Sequence, residues 1–260
     1  MLDFLWNNGI LRLLYTSVGI QWIGCAAAVF FKTEKFYDLT GSATFILVSH
    51  LAYESSLMTR RQSVQGWLVF GWACRLGSFL FLRIMKDGED KRFDKAKESP
   101  AIMFKFWTLQ GIWVFITLLP TLLLNSERRN PPIGTRDYIG WGLWTLGFIL
   151  EVVADAQKSM FKNNPENKGK FISSGLWSVS RHPNYFGEMV LWFGLYISSS
   201  SVFSGLQYLS VLSPIFVSFL ISKLSGIPLL EAAALKKWGD NPAYKHYIEN
   251  TPVLIPFIKT

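Results

Sequence analysis

The chain has 260 residues, half of them apolar, with 11 Trp, 21 Phe and a formal charge of +8. Its apolar residues come in long blocks separated by short charged segments, which excludes a water-soluble domain built by alternation around one core. The basic residues gather in the connections between blocks, which suits anionic headgroups or an anionic cofactor and argues against nucleic acid.

A helical span takes about 20 largely apolar residues. Seven stretches qualify, near 9–31, 39–58, 64–85, 101–124, 137–160, 185–203 and 205–226. The predicted fold is an all-α integral membrane protein: a seven-transmembrane helix bundle forming one domain over 1–260, with a cytosolic tail at 227–260. The first block has no Lys or Arg before Arg12 and no small-residue cleavage site, so it reads as a retained span, not a signal peptide. Cys25 and Cys74 fall inside apolar blocks, and no spacing suits a disulfide framework or a metal. Ser204 and Gly205 join the last two spans in a tight hairpin. In the tail, Leu229 to Trp238 reads as an amphipathic helix that Gly239, Asp240, Asn241 and Pro242 stop. Seven spans place the termini on opposite sides. One side then carries seventeen Lys and Arg, among them Lys32, Lys91, Lys168 and Lys259, and the other carries six. The positive-inside rule makes the first side cytosolic, with the N-terminus outside and the C-terminus inside.

The mean hydropathy of +0.24 is low for lipid-facing helices alone, so several spans must turn polar groups inward. Ionisable groups inside spans are costly and mark function or pairing. His50 and Glu54 lie one turn apart in the second span. Arg75 lies near the middle of the third, with Arg83 near its end and Lys86 at its exit. Glu151, Asp155, Lys158 and Lys162, spaced by 4, 3 and 4, share one face of the fifth. Structural readings stand beside the functional ones. Glu54 suits an interhelical partner for Arg75, His50 a hydrogen-bonded interior histidine, and Arg83 and Lys86 snorkelling anchors.

The run Ser180-Arg181-His182-Pro183-Asn184-Tyr185-Phe186-Gly187-Glu188 concentrates ligand-type groups. Pro183 restrains His182 and opens the sixth helix, where a missing N–H costs nothing. Asn184 and Tyr185 then lie beside free backbone N–H groups that favour an anion. Arg181 supplies a phosphate fork and Tyr185 a flat face for stacking. Glu188 lies one turn deeper than Asn184. This set suits a nucleotide with phosphates and hydroxyls. No Gly-rich dinucleotide fingerprint accompanies it, so a dinucleotide would bind in a helical-bundle cavity.

The same segment resembles the signature of the steroid 5α-reductase superfamily, especially its bacterial membrane branch. The tail Gly226-Ile227-Pro228-Leu229-Leu230-Glu231, then Trp238, Gly239, Tyr244, Tyr247 and Leu254-Ile255-Pro256-Phe257, resembles that branch as well. An Arg-His-Pro-x-Tyr core is shared with sterol reductases and isoprenylcysteine carboxyl methyltransferases. The resemblance implies NADPH as cofactor, held by Asp155, Lys162, Asn184 and Glu188, with Arg75, Arg83 and Lys86 of the third span and its exit; Lys158, Arg181, His182 and Tyr185 complete the candidate cofactor-binding set. It also implies that Glu54 holds a substrate carbonyl. Tyr53 stands where the animal enzymes have glutamine, and their assisting tyrosine is replaced near Trp72, so Tyr53, or another phenol, enters as the partner of Glu54.

The implied reaction is NADPH-dependent hydride transfer to the carbon–carbon double bond of a 3-oxo-4-ene steroid or similar lipid enone. Burial in an apolar cavity would favour the neutral, donating form of Glu54. The partners expected are a hydrophobic enone and membrane lipids, with no obligate protein partner. The expected location is a bacterial inner membrane. Two alternatives remain. One is an S-adenosylmethionine-dependent methyltransferase of the isoprenylcysteine type, although Glu231 is followed by Ala232 and not by a second glutamate. The other is a non-enzymatic lipid-binding protein.

Overall fold

The computed structural model describes residues 9–90 and 93–258. Lys91, Arg92 and Lys259 of the predicted cytosolic face lie outside the described residues, as does the side chain of Lys95. Every regular element among the described residues is helical.

Five described runs are long and apolar enough to cross a membrane: Ile10–Phe31, Arg60–Asp87, Pro100–Ser126, Thr135–Asn163 and Gly205–Trp238. The seven predicted spans are therefore reduced. Two of them correspond to shorter helices, Tyr37–Glu54 with 18 residues and Pro183–Ser199 with 17. At 1.5 Å per residue these reach about 27 and 25 Å, less than the ~30 Å hydrocarbon core. Asp38, His50 and Glu54 make the first more polar still. The apolar run of the predicted last span also continues into the predicted tail: a π-helical turn at Leu220–Leu224 and a bend at Ser225–Gly226 lead into a further helix that ends at Trp238.

The chain divides into two compact units. The first is Met1–Asp137 with Ser199–Ser213. It holds α1 (Ile10–Phe31), α2 (Tyr37–Glu54), α3 (Arg60–Asp87), the one-turn α4 (Asp94–Lys97) and α5 (Pro100–Ser126). Its burial is inverted relative to a soluble protein. Ile23, Phe30, Trp67 and Leu82 point outward, while Ser17, Gln21, Gln65, Thr117 and Thr121 are buried. The inner polar groups pair across helices, as a low-dielectric interior requires. Gln21 donates to Thr44 at 2.8 Å, and Gln65 donates to Thr121 at 3.0 Å and Ser199 at 3.1 Å. Close helix approach depends on missing side chains. A Cβ on Gly24 would overlap the Trp107 ring, and one on Gly111 would stand 2.9 Å from the Val18 Cα. Thr59 opens α3 with a capping box shared with Gln62. Two residues after Thr59, the fully buried Arg61 grips Asp137 through Nε at 2.6 Å and Nη2 at 3.0 Å. The same guanidinium donates to the carbonyls of Pro131 and Pro132, tying the turn before Asp137 to the start of α3.

The second unit is Tyr138–Ser198 with Pro214–Thr260. It holds most of α6 (Thr135–Asn163), α7 (Pro183–Ser199) and α8 (Leu212–Phe219), then α9 (Ile227–Trp238) and α10 (Pro242–Asn250). α6 and α7 cross antiparallel at near-backbone contact. A Cβ on Gly147 would stand 2.5 Å from the Gly187 carbonyl oxygen, and Gly140 meets Gly194 in the same way. The two glycine pairs are seven residues apart on each helix, so one seam of each faces the other along its length. This seam sets the register of the polar residues that follow it on α6.

Candidate functional site

The register continues into chemistry. Beyond Gly147 on α6 come the buried Glu151 and Asp155, and the partner end of α7 is its N-terminus. There Asn184 donates from Nδ2 to Asp155 Oδ1 at 3.0 Å. His182 precedes Pro183 as the cap: its carbonyl accepts the N–H of Phe186 at 3.1 Å, and its own N–H donates to Ser180 Oγ. The C-terminal segment fastens the loop leading in. The Arg181 N–H donates to the Pro252 carbonyl at 2.8 Å, and Ser180 Oγ donates to the Leu254 carbonyl at 2.7 Å.

Glu231 of α9 is the centre of the charge arrangement. Its two carboxylate oxygens take Arg181 Nη1 at 2.6 Å and His182 Nε2 at 2.8 Å. Burial pushes the His182 imidazole below its ordinary pKa, and the attraction of Glu231 only partly opposes this. The neutral ring therefore donates Nε2–H to Glu231 and leaves Nδ1 as an acceptor. The Tyr185 ring lies parallel to His182, with centroids 5.8 Å apart. Three buried polar atoms of this cradle have no protein partner: Arg181 Nε, His182 Nδ1 and Asn184 Oδ1. One donor and two acceptors on neighbouring residues are what a ligand carrying an anionic group and hydroxyl or amine hydrogens would satisfy.

The other predicted residues of this unit surround the cradle. Lys158 Nζ lies 4.4 Å from the Trp177 ring centre, a cation–π contact. Trp177 donates from Nε1 to the Ala154 carbonyl at 3.0 Å, and its own carbonyl accepts the Tyr247 hydroxyl at 2.7 Å. Burial raises the Tyr247 phenol well above its usual range. Glu188 is half-buried one turn into α7, and Lys162 is exposed at the end of α6. Arg181 differs from the open phosphate fork expected of it, because Glu231 already occupies one of its terminal nitrogens. Glu231, Trp177 and Tyr247 were not among the predicted site residues. Glu231 and Tyr247 had a signal in the tail segment, but neither had a predicted partner.

In the first unit the predicted residues do not converge. Glu54, the last residue of α2, has a side chain 56% exposed and lies 3.2 Å from His50. The apolar burial expected of it is absent there, and its ion-pair partner is His50, not Arg75. The Tyr53 hydroxyl meets Ser63 Oγ at 2.8 Å, near the start of α3. Arg75 stacks over Phe79 at 5.2 Å. Arg83 reaches Asp38 at 3.8 Å, and Lys86 is exposed in the last turn of α3. Ser63 and Arg83 are separated by about 30 Å of helix, so Tyr53 and the Arg83–Lys86 pair serve opposite ends of this unit. A small cavity of about 40 Å³ lies between Phe45, Trp72, Trp113 and Gln110, with room for a water or two and not for a lipid. No cluster of His, Cys, Asp or Glu suited to a metal occurs among the described residues.

Fold and cradle together define a helical membrane protein with a ligand-type polar site at the start of a short inner helix. Residues 25–251 match the family described as "Protein of unknown function (DUF1295)", and the chain belongs to that family. A probable O-methyltransferase of Ustilaginoidea virens is 35% identical over 78 residues, 30% of this chain and 26% of that protein. The 3-oxo-5-alpha-steroid 4-dehydrogenase 1 of Rattus norvegicus is 27% identical over 119 residues, 46% of this chain and 40% of that protein. The Delta(14)-sterol reductase of Arabidopsis thaliana is 29% identical over 100 residues, 35% and 24% of the two chains. The last two belong to the steroid 5α-reductase superfamily, in line with the resemblance read from the signature segment. The chain spans less than half the length of each of these three relatives. No solved structure matches it.

Proposed function

We propose that the protein is a membrane-embedded, NADPH-dependent reductase of a carbon–carbon double bond conjugated to a carbonyl, in a 3-oxo-4-ene steroid or similar lipid. The observation that carries this reading is the cradle at the start of α7, with its three unsatisfied buried polar atoms beside Asp155 and Lys158. Its donor set fits a nucleotide. Arg181 Nε suits a phosphate oxygen, and His182 Nδ1 and Asn184 Oδ1 suit ribose hydroxyls. Tyr185 offers a ring face. When bound, NADPH would supply the hydride. Glu231 holds Arg181 and His182 in place, and Asp155 fixes the amide of Asn184. Glu54, with Tyr53, is the proposed source of the proton at the carbonyl oxygen. The lysine-rich loops are assigned to the cytosol.

One observation favours a second reading. The relative named as a probable O-methyltransferase has the highest identity of the three, and S-adenosylmethionine also carries an anionic carboxylate and hydroxyls. Thermal unfolding in detergent separates the two. NADPH should raise the melting temperature of the wild type, S-adenosylmethionine should not, and Asn184→Ala should lose the response while unfolding normally without ligand. Stabilisation by S-adenosylmethionine alone would replace the reductase reading with the methyltransferase one. Steroid turnover tests Glu54 separately. Glu54→Gln and Glu54→Ala should both keep the NADPH response and lose reduction, and normal turnover in Glu54→Ala removes it from the mechanism.

A further inference from the structure

A groove of about 550 Å³ opens in the first unit where α1 ends and α5 begins. Its walls include Ala28, Val29 and Met103, and its mouth carries Lys32, Lys97 and Glu98. The walls are firmly set. Ala28 and Met103 share a buried cluster with Phe93 and Ala96, which pin the short α4 alongside. Lys32 closes α1 in the left-handed conformation, φ 49°, with its N–H on the carbonyls of Ala28 and Val29. The backbone thereby fixes where its side chain leaves the helix.

The charges at the mouth are not equivalent. The Lys97 ammonium is already held 3.1 Å from Glu34 and 3.8 Å from Asp94. Glu34 is buried and also accepts the Asp90 N–H at 2.9 Å. This leaves the Lys32 ammonium and the Glu98 carboxylate, neither of which has an ion-pair or hydrogen-bond partner among the described residues. α5 starts at the same mouth. Its cap, Ser99, makes no side-chain bond to the first turn, so the N–H groups after Pro100 add positive potential near Lys32. One free cation, one free carboxylate and an apolar wall complement a headgroup that joins a phosphate to an amine and continues into an acyl chain.

We propose that this groove binds a glycerophospholipid with a zwitterionic amine headgroup, of the phosphatidylethanolamine type. The phosphate lies at Lys32 and the start of α5, the ammonium at Glu98, and the first part of a chain along Ala28, Val29 and Met103. The position suits a lipid, because the exposed rings of Phe30 and Phe31 immediately precede Lys32. A free headgroup would leave the apolar wall in water.

The test is thermal unfolding of the full chain in detergent, titrated with dioleoyl phosphatidylethanolamine, dioleoyl phosphatidylglycerol or soluble phosphoethanolamine. Phosphatidylethanolamine should stabilise saturably and at lower concentration than phosphatidylglycerol, and phosphoethanolamine should not stabilise. Glu98→Gln should abolish the preference between the two lipids. Lys32→Gln should weaken both by about tenfold or more, as the loss of one charge-assisted hydrogen bond implies. Both side chains are exposed, so the variants should unfold like the wild type without lipid. Equal or better stabilisation by phosphatidylglycerol, full stabilisation by phosphoethanolamine, or wild-type responses in both variants would overturn the proposal.

Discussion

Glu231 binds two neighbouring side chains with its two oxygens, so its loss should be felt twice. Glu231→Gln removes the charge that holds Arg181, and unfolding in detergent should show a loss of about 1.5–3 kcal/mol, the usual range for a hydrogen bond to a charged group. His182 adds a pH dependence whose sign follows from its lowered pKa. The unfolded chain takes up a proton near pH 6.5, while the folded chain resists protonation until lower pH. Stability should therefore be fully present above about pH 6.5 and should decline as the pH falls below it. His182→Asn should flatten that decline in melting temperature measured between pH 7.5 and 5. An unchanged slope in the variant would assign the acid sensitivity to another group.

At the scale of helices, the α6–α7 seam depends on backbone contact. Gly147→Ala places a methyl 2.5 Å from the Gly187 carbonyl oxygen, and helix backbones cannot yield as a flexible side chain can. Overpacking of this kind costs about 1–3 kcal/mol, and separating the helices should also pull Asn184 from Asp155. Nucleotide response and melting temperature should therefore fall together in Gly147→Ala. In Gly142→Ala, on the same helix with open space at its Cβ, both should hold. The Arg61–Asp137 pair makes a different prediction. Removing one member of a fully buried pair typically costs about 3–5 kcal/mol. Arg61→Met alone should thus be strongly destabilised, and Arg61→Met with Asp137→Leu should recover most of the loss in a double-mutant comparison.

For the whole chain, the five long apolar helices put the connection after Ser126 and the connection at Lys168 at opposite ends of one span, Thr135–Asn163. Single cysteines at Ser126 and Lys168, with Cys25 and Cys74 replaced, should react with an impermeant maleimide from opposite sides. Reaction of both from one side would remove α6 as a span.

Long apolar blocks, their polar breaks and the Ser180–Glu188 signature are local features, and all could be read without the fold. The blocks declare a helical membrane protein because backbone polarity must be satisfied within each segment. The signature declares a ligand-type helix start because proline, cap and free N–H groups are neighbours in sequence. Span number was less legible, since α2 and α7 are apolar enough to suggest spans and too short or too polar to meet the full requirement. Pairings were not legible at all. Glu231 is 49 residues from His182, and Arg61 is 76 from Asp137. Each partner looks like an ordinary surface charge until packing removes it from water, and only the tertiary structure decides which buried charges meet. The same holds for Glu54: its position in an apolar block predicted burial, but the end of α2 leaves it exposed beside His50, because burial depends on what packs against a helix end and not on the helix itself.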